Sequence, residues 1–385
     1  MDGMTMKKAV LIMLLLPTLT MAGRARDLGI PFEGTPGEHN AITDVGGVTV
    51  GFETIVRDLP GNKAVRTGVT AVLPRGERTN SLPVYGGWFS LNGNGEMTGT
   101  TWVEESGFVE GPIMITNTHS VGAVHEGTIR WRYENGAADA SGYWWSLPVI
   151  AETWDGFLND INGFHVRPEH AGAAIESATS GPVAEGNVGG GTAMVCFEYK
   201  CGTGTSSRIT RVGGDDYTVG VLVQANFGRR DNLIVAGVPV GKYLRNDMVY
   251  SSTVPDFPGV GSIIIIVGTD APLLPHQLKR LARRAALGLS RTGSIASNGS
   301  GDIFIAFSSG NEDVHQGDSG SGIESIPNES IVPLFEATVQ ATEEAIINAL
   351  VAGRTLTGNR GNTVTAIDHV ELQDVLRANK RLNEE

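Results

Sequence analysis

Residues 263–267 read Ile-Ile-Ile-Ile-Val, five β-branched aliphatic side chains in succession. Successive strand residues point to opposite faces, so a run that is apolar at every position requires cover on both sides. Such a strand lies inside a layered fold, and the rest of the chain must supply the layers. Beyond it, residues 272–290 place Leu278, Leu281, Ala282, Ala285 and Leu289 at three- and four-residue steps, which predicts a helix. Asp270 is its expected cap, with Pro272 in the first turn. Lys279, Arg280, Arg283 and Arg284 fall between the apolar positions and read as a solvated face. A strand follows at 303–307 and a second helix near 334–352. Before the run, strands are expected at 41–45, 48–50, 67–73, 112–116, 148–154 and 219–226, and a helix over 168–180. Residues 241–261, with Pro255, Pro258, Gly259 and Gly261, read as an exposed linker. The expected class is α/β, with helices covering both sides of stacked sheets.

Glycine accounts for 52 of the 385 residues, nearly twice the usual share of roughly 7%. It has no three-residue period, which excludes collagen, and a chain with 41% hydrophobic residues is no disordered tract. The surplus therefore marks tight loops and close backbone approaches. With 29 basic and 42 acidic residues the formal charge is −13, which argues against a general nucleic-acid binder, since that needs a basic face to displace phosphate counterions. The eight histidines form no HExxH-like motif and the two cysteines lack zinc spacing, so no metal or other cofactor is expected. Cys196 and Cys201 are read as two buried thiols in preference to a short disulfide, although their spacing in a glycine-rich stretch suits either.

At the N-terminus, Lys7-Lys8, the apolar residues 9–16 and the small residues around Ala22 have the three regions of a secretory signal peptide. Cleavage is expected after Ala22, with Thr20 at the −3 position. Residues 9–22 are too few to span a bilayer, which takes about 20 apolar residues. A periplasmic protein, free of the membrane once the leader is removed, is expected.

Two serines compete as nucleophile. Gly317-Asp318-Ser319-Gly320-Ser321-Gly322 looks like the GDSGG of trypsin-like proteases, with Asn117-Thr118-His119-Ser120 a poor substitute for their histidine motif. Those enzymes are double β-barrels, and a long helix at 272–290 does not fit one, so a turn of small residues is the preferred reading. Ser262 is the other. It stands where a proline-bearing linker meets a buried strand, the place where self-cleavage would free an N-terminal nucleophile. Its hydroxyl would attack the carbonyl of Gly261, left unshielded by glycine, in an N-to-O acyl shift. Hydrolysis would then free the Ser262 α-amine, whose pKa near ~8 lets it act as base for its own Oγ without a histidine.

The stretch GSIIIIVGTDAPLLPHQLKRLARRAALGLSRTGSIASNGSGDIFIAF (261–307) resembles the corresponding region of the L-aminopeptidase D-amidase/D-esterase family, which includes the β-peptidyl aminopeptidases. So do RARDLGIPFEGTPGEHNAITDVGGVTVG (24–51), ITNTHSVG (115–122), LPVIAETWDGFLNDINGFHV (147–166), GNVGGGTAMVCFEYKCGTGTSSR (186–208) and VLVQANFGRRDNLIVAGVPVG (221–241). These stretches follow one another along nearly the whole chain after the leader. The resemblance implies a four-layer αββα sandwich like that of the N-terminal nucleophile (Ntn) hydrolases, with different strand connectivity. It also implies self-cleavage between Gly261 and Ser262. The products would be a large chain, 23–261, and a small chain, 262–385, joined in one structural domain and assembled as αβ units in a higher homo-oligomer.

Carried over to this sequence, the resemblance makes Ser262 the nucleophile and Ser300 and Asp302 the groups that orient it or relay protons. Asn226 becomes the oxyanion donor and Glu152 the acid that holds the substrate's free ammonium group. Independently of the resemblance, Trp154, Trp144, Trp145 and Tyr143 stand near Glu152 in sequence and read as the lining of an apolar side-chain pocket, although aromatics are more often plain core. The implied activity is that of a serine aminopeptidase, which removes L-α- or β-amino acids from short peptides, amides or esters through an acyl-enzyme. The β-peptide branch tends to have asparagine before the nucleophile, so Gly261 resembles the L-aminopeptidase D-esterase branch, whereas residues 24–37 and the leader look more like the periplasmic β-peptidases. Ornithine acetyltransferases share a similar sandwich and self-cleavage, but normally use threonine and are cytosolic. Outside enzymes, the alternative is a non-catalytic exported binding protein in which Ser262 is a plain strand residue.

Overall fold

The computed structural model describes residues 23–137, 141–250, 260–312, 314 and 322–383. The leader and residues 317–321 of the GDSGSG motif lie outside them. In chain order the strands are β1 (Thr49–Leu59), β2 (Lys63–Leu73), β3 (Val84–Gly93), β4 (Phe108–Val109), β5 (Ile113–Asn117), β6 (Val149–Thr153), β7 (Val195–Cys196) and β8 (Tyr199–Lys200). They continue with β9 (Thr203–Val212), β10 (Asp215–Asn226), β11 (Val260–Thr269), β12 (Gly299–Ser308), β13 (Leu356–Thr357) and β14 (Thr363–Val364). The helices are α1 (Thr100–Ser106), α2 (Val121–Glu134), α3 (Pro168–Glu176), α4 (Pro275–Arg291), α5 (Val332–Val351) and α6 (His369–Ala378). One sheet has the order β1-β2-β5-β6 and the other β4-β3-β12-β11-β10-β9.

β11 carries the aliphatic run, and its alternation builds two cores at once. Ile263, Ile265 and Val267 pack with Leu278, Leu281 and Ala285 of α4 and with Ala341, Ala345 and Ile346 of α5. Ile264 and Ile266 point the other way and meet Val50, Val72, Ile113 and Ile115 of the four-stranded sheet. On the far side of that sheet, Met114 and Ile150 pack against Val124 of α2 and Ala171, Ala174 and Ile175 of α3. The layers are therefore helix, sheet, sheet, helix. β11 and β12 are parallel and joined through α4, whereas β11 and β10 are antiparallel.

Several local expectations need correction. Residues 41–45 hold a 3-10 turn, Ile42–Asp44, because the Asp44 carboxylate accepts the amides of His39 and Ala41 and winds the chain. α4 starts later than expected, with Leu274 at its N-cap and Pro275 in its first turn. Asp270 instead accepts the Thr218 amide at 2.7 Å, tying β11 to β10. The stretch 241–261 is not wholly exposed, since Gly241 and Leu244 are buried; residues 251–259 lie outside the described residues.

Cys196 and Cys201 form a disulfide, not two thiols. β7 and β8 pair antiparallel around Phe197 and Glu198, both at positive φ. This tight hairpin returns the chain on itself and leaves the two cysteine Cα atoms 5.4 Å apart.

Candidate active site

β10, β11 and β12 lie side by side, and their register sets Asn226 opposite Ser262, Ser262 opposite Gly301, and Gly261 opposite Ser300. Ser262 falls on the same side of β11 as Ile264 and Ile266, so it faces the space between the sheets. Its Oγ donates to Gly261 O at 2.7 Å and accepts the Gly301 amide at 3.3 Å. The hydroxyl thus rests beside the carbonyl of the residue before it. Gly261 has a φ of 148°, and a Cβ there would stand 2.0 Å from Asn226 O. Any larger residue would have to move the β10 backbone. Gly301 is equally constrained, since a Cβ would lie 2.4 Å from Asn94 O.

Ser300 Oγ donates to Asp302 Oδ1 at 2.7 Å, while Oδ2 is buried without a partner. Burial pushes the Asp302 carboxyl up to about 6, and the hydrogen bond from Ser300 only partly offsets this. The group is therefore ionised above about pH 6 and protonated below it. If its carboxylate serves the reaction, kcat/KM falls about tenfold per pH unit on the acid side of that value. The pH–rate profile of Asp302→Asn should lose this limb, and an unchanged limb would exclude Asp302 as its source.

Asn226 ends β10 with its amide held at both ends. Oδ1 accepts the Val195 amide at 2.9 Å and Nδ2 donates to Trp154 O at 2.9 Å. An amide nitrogen has two N–H groups, so a second donor remains. Glu152, from β6, is buried, with Oε1 accepting the Glu96 amide at 3.0 Å and Oε2 accepting the Thr118 hydroxyl. Desolvation raises its carboxyl above the usual range, against the pull of those two hydrogen bonds. A bound cation would reverse that cost.

Ser262, Gly261, Asn226, Glu152 and Trp154 line one cavity of about 370 Å³, together with Asn94, Thr118, Phe157, Val195 and Tyr250. Ser300 and Asp302 do not line it: they flank Gly301, the register partner of Ser262, so their side chains fall on the other face of β12 with Phe304 and Ala306, while Gly299 reaches the wall. The other expected aromatics are elsewhere: Trp145 packs on Trp102 with ring centroids 5.3 Å apart, Trp144 lies by Tyr133, and Tyr143 is exposed. Their stretch precedes β6 and runs over the surface, so nearness to Glu152 in sequence does not carry into space. His119 stacks on Phe164, and its neighbour Thr118 is the residue of that loop that reaches the cavity. The sequence offered no signal for Asn94, Phe157 or Tyr250. Asn94 Nδ2 donates to Gly299 O and its amide to Ser300 O, which secures the loop between Glu152 and β12. Among the described residues, no group of three or more histidine, cysteine, aspartate or glutamate side chains converges as metal ligands would.

Residues 40–364 match the model of peptidase family S58. The chain is 54% identical over 373 residues to the β-peptidyl aminopeptidase BapA of Sphingosinicella microcystinivorans, covering 93% of each protein. It also superposes on the L-aminopeptidase D-Ala-esterase/amidase of Ochrobactrum anthropi, a prototype for the serine aminopeptidases, with a TM-score of 0.88, 47% identity and coverage of 93% of this chain and 99% of that one. For a β-aminopeptidase of Burkholderia sp. the TM-score is 0.83, with 46% identity and coverage of 92% and 99%. The Ochrobactrum structure is a variant of the Ntn hydrolase fold, and the layers found here match it. On its sequence and its fold alike, the chain belongs to peptidase family S58.

Proposed function

We propose that the protein is a self-processing serine aminopeptidase that removes N-terminal β- and L-α-amino acids from short peptides, amides or esters. The observation that carries this reading is one cavity holding a nucleophilic hydroxyl, a side-chain amide donor and a buried carboxylate. Ser262 Oγ first attacks the Gly261 carbonyl; water then cleaves the ester and leaves two chains, 23–261 and 262–385. In turnover the same Oγ attacks the substrate's carbonyl, the free N–H of Asn226 stabilises the oxyanion, and the leaving amine departs with a proton. Water resolves the acyl-enzyme. Ser300 and Asp302 hold the proton network beside the new α-amine. Glu152, costly to bury alone, binds the substrate's ammonium group and thereby restricts cleavage to the first residue. Residues 1–22 direct the protein to the periplasm, and the αβ units assemble into a higher oligomer.

The test uses β-alanyl and L-alanyl p-nitroanilides beside their N-acetyl forms. The purified enzyme releases p-nitroaniline from the free amines only. Glu152→Gln raises KM for them about 10- to 100-fold, the worth of a charge-assisted hydrogen bond. Equal turnover of the acetylated substrates, or an unaltered KM in the variant, would sink the reading.

A further inference from the structure

Arg229, three residues beyond the end of β10, is half-buried, and its Nε is buried without a hydrogen-bond partner. Its neighbour Arg230 shows how this fold treats a structural arginine: the guanidinium donates to the carbonyls of Phe197, Glu198, Leu244 and Asn246. A buried N–H left unmatched costs about 1–3 kcal/mol. Arg229 therefore lacks, in the uncut chain, a partner that its position would reward. It lines a small cavity of about 10 Å³ with Phe227, Gly228, Ser297 and Ser300. That volume admits a single oxygen-sized group.

Two residues of this small cavity's wall, Ser300 and Phe227, adjoin Gly261, the residue before the scissile bond. Gly261 pairs with Ser300, and a Cβ on it would stand 2.6 Å from Phe227 Cα. Gly261 also lines the large cavity, where its carbonyl accepts the Ser262 hydroxyl. A substrate carbonyl must take that same place beside Oγ. Hydrolysis of the Gly261–Ser262 link consumes one water and leaves a carboxylate on Gly261 and an amine on Ser262. Unless this carboxylate withdraws, it blocks the site as a product.

Resting on the self-processing reading above, we propose that Arg229 receives the carboxylate of Gly261 after the cut. The new chain end turns from the large cavity towards the small one and pairs with the guanidinium. This clears the nucleophile and fastens the end of the large chain.

The test places Arg229→Gln in the wild-type and in the uncut Ser262→Ala background, which has no carboxylate at position 261. In the processed enzyme both chains still form, Tm falls by about 2 °C or more, and KM for β-alanyl p-nitroanilide rises severalfold because the unpaired carboxylate competes for the acyl site. Arg229→Lys recovers part of both effects. In the Ser262→Ala background the same substitution moves Tm by less than about 1 °C. Equal shifts in the two backgrounds, or none in the processed enzyme, overturn the proposal. So does a rise in KM confined to peptides with a free C-terminal carboxylate relative to their amides, which would assign Arg229 to the substrate. A wild-type protein that runs as one uncut band removes the ligand itself and overturns the proposal with the reading it rests on. The gel separates that result from the others.

Discussion

Ser262→Ala purifies as a single chain with the Gly261–Ser262 bond intact, and its aminopeptidase turnover falls by about 10⁴-fold or more. The two losses have one cause. The hydroxyl that donates to Gly261 O in the uncut chain is the atom that would attack both that carbonyl and the substrate's. Alanine leaves the backbone of β11 and its apolar faces as they are, so the variant folds. Denaturing gel electrophoresis with N-terminal sequencing checks the first effect: wild type yields a second chain beginning at Ser262, and the variant yields none. A variant still cut before residue 262 would show that another group cleaves the bond, and the reading of Ser262 would fall.

Asn226→Asp lowers kcat by about 10²- to 10³-fold, the usual cost of one lost oxyanion donor, with a much smaller change in KM. The substitution keeps the shape and keeps an oxygen to accept the Val195 amide, but it removes both N–H donors. It also sets a negative charge where negative charge develops. Because self-cleavage passes through a tetrahedral oxyanion too, the variant accumulates uncut chain, visible on the same gel. An effect on KM alone would assign Asn226 to substrate binding and not to the transition state.

Elements with a strong period were legible in the sequence. The buried run became β11, the helix expected at 272–290 became Pro275–Arg291, and that near 334–352 became Val332–Val351. α2 was not, since Gly122, Gly127 and Thr128 interrupt its apolar repeat. Gly127 is there for packing: a Cβ would lie 2.1 Å from Pro168 O, so α2 and α3 approach at that point. The disulfide was illegible because it depends on two consecutive residues at positive φ, and Phe197 and Glu198 are not turn formers by type. At the site, Ser262 was marked by its place between linker and strand. Asn226, Asp302 and Glu152 stood out only through family resemblance, and Asn94, Phe157 and Tyr250 not at all.

The glycine surplus shows the same division. At Gly261 and Gly301 the residue is fixed by Asn226 O and Asn94 O, backbone atoms remote in sequence that no local pattern predicts. By itself the sequence determined that one strand is covered on both faces, because consecutive β-branched side chains leave no face for water, and that a glycine and a serine open that strand. Only the tertiary structure decided what meets the serine. The residues around it come from β3, β5, β6, β7, β10 and β12 or the loops beside them, and they converge through sheet register and the packing of one sheet on the other. Both are set by contacts between distant segments, which local periodicity does not encode.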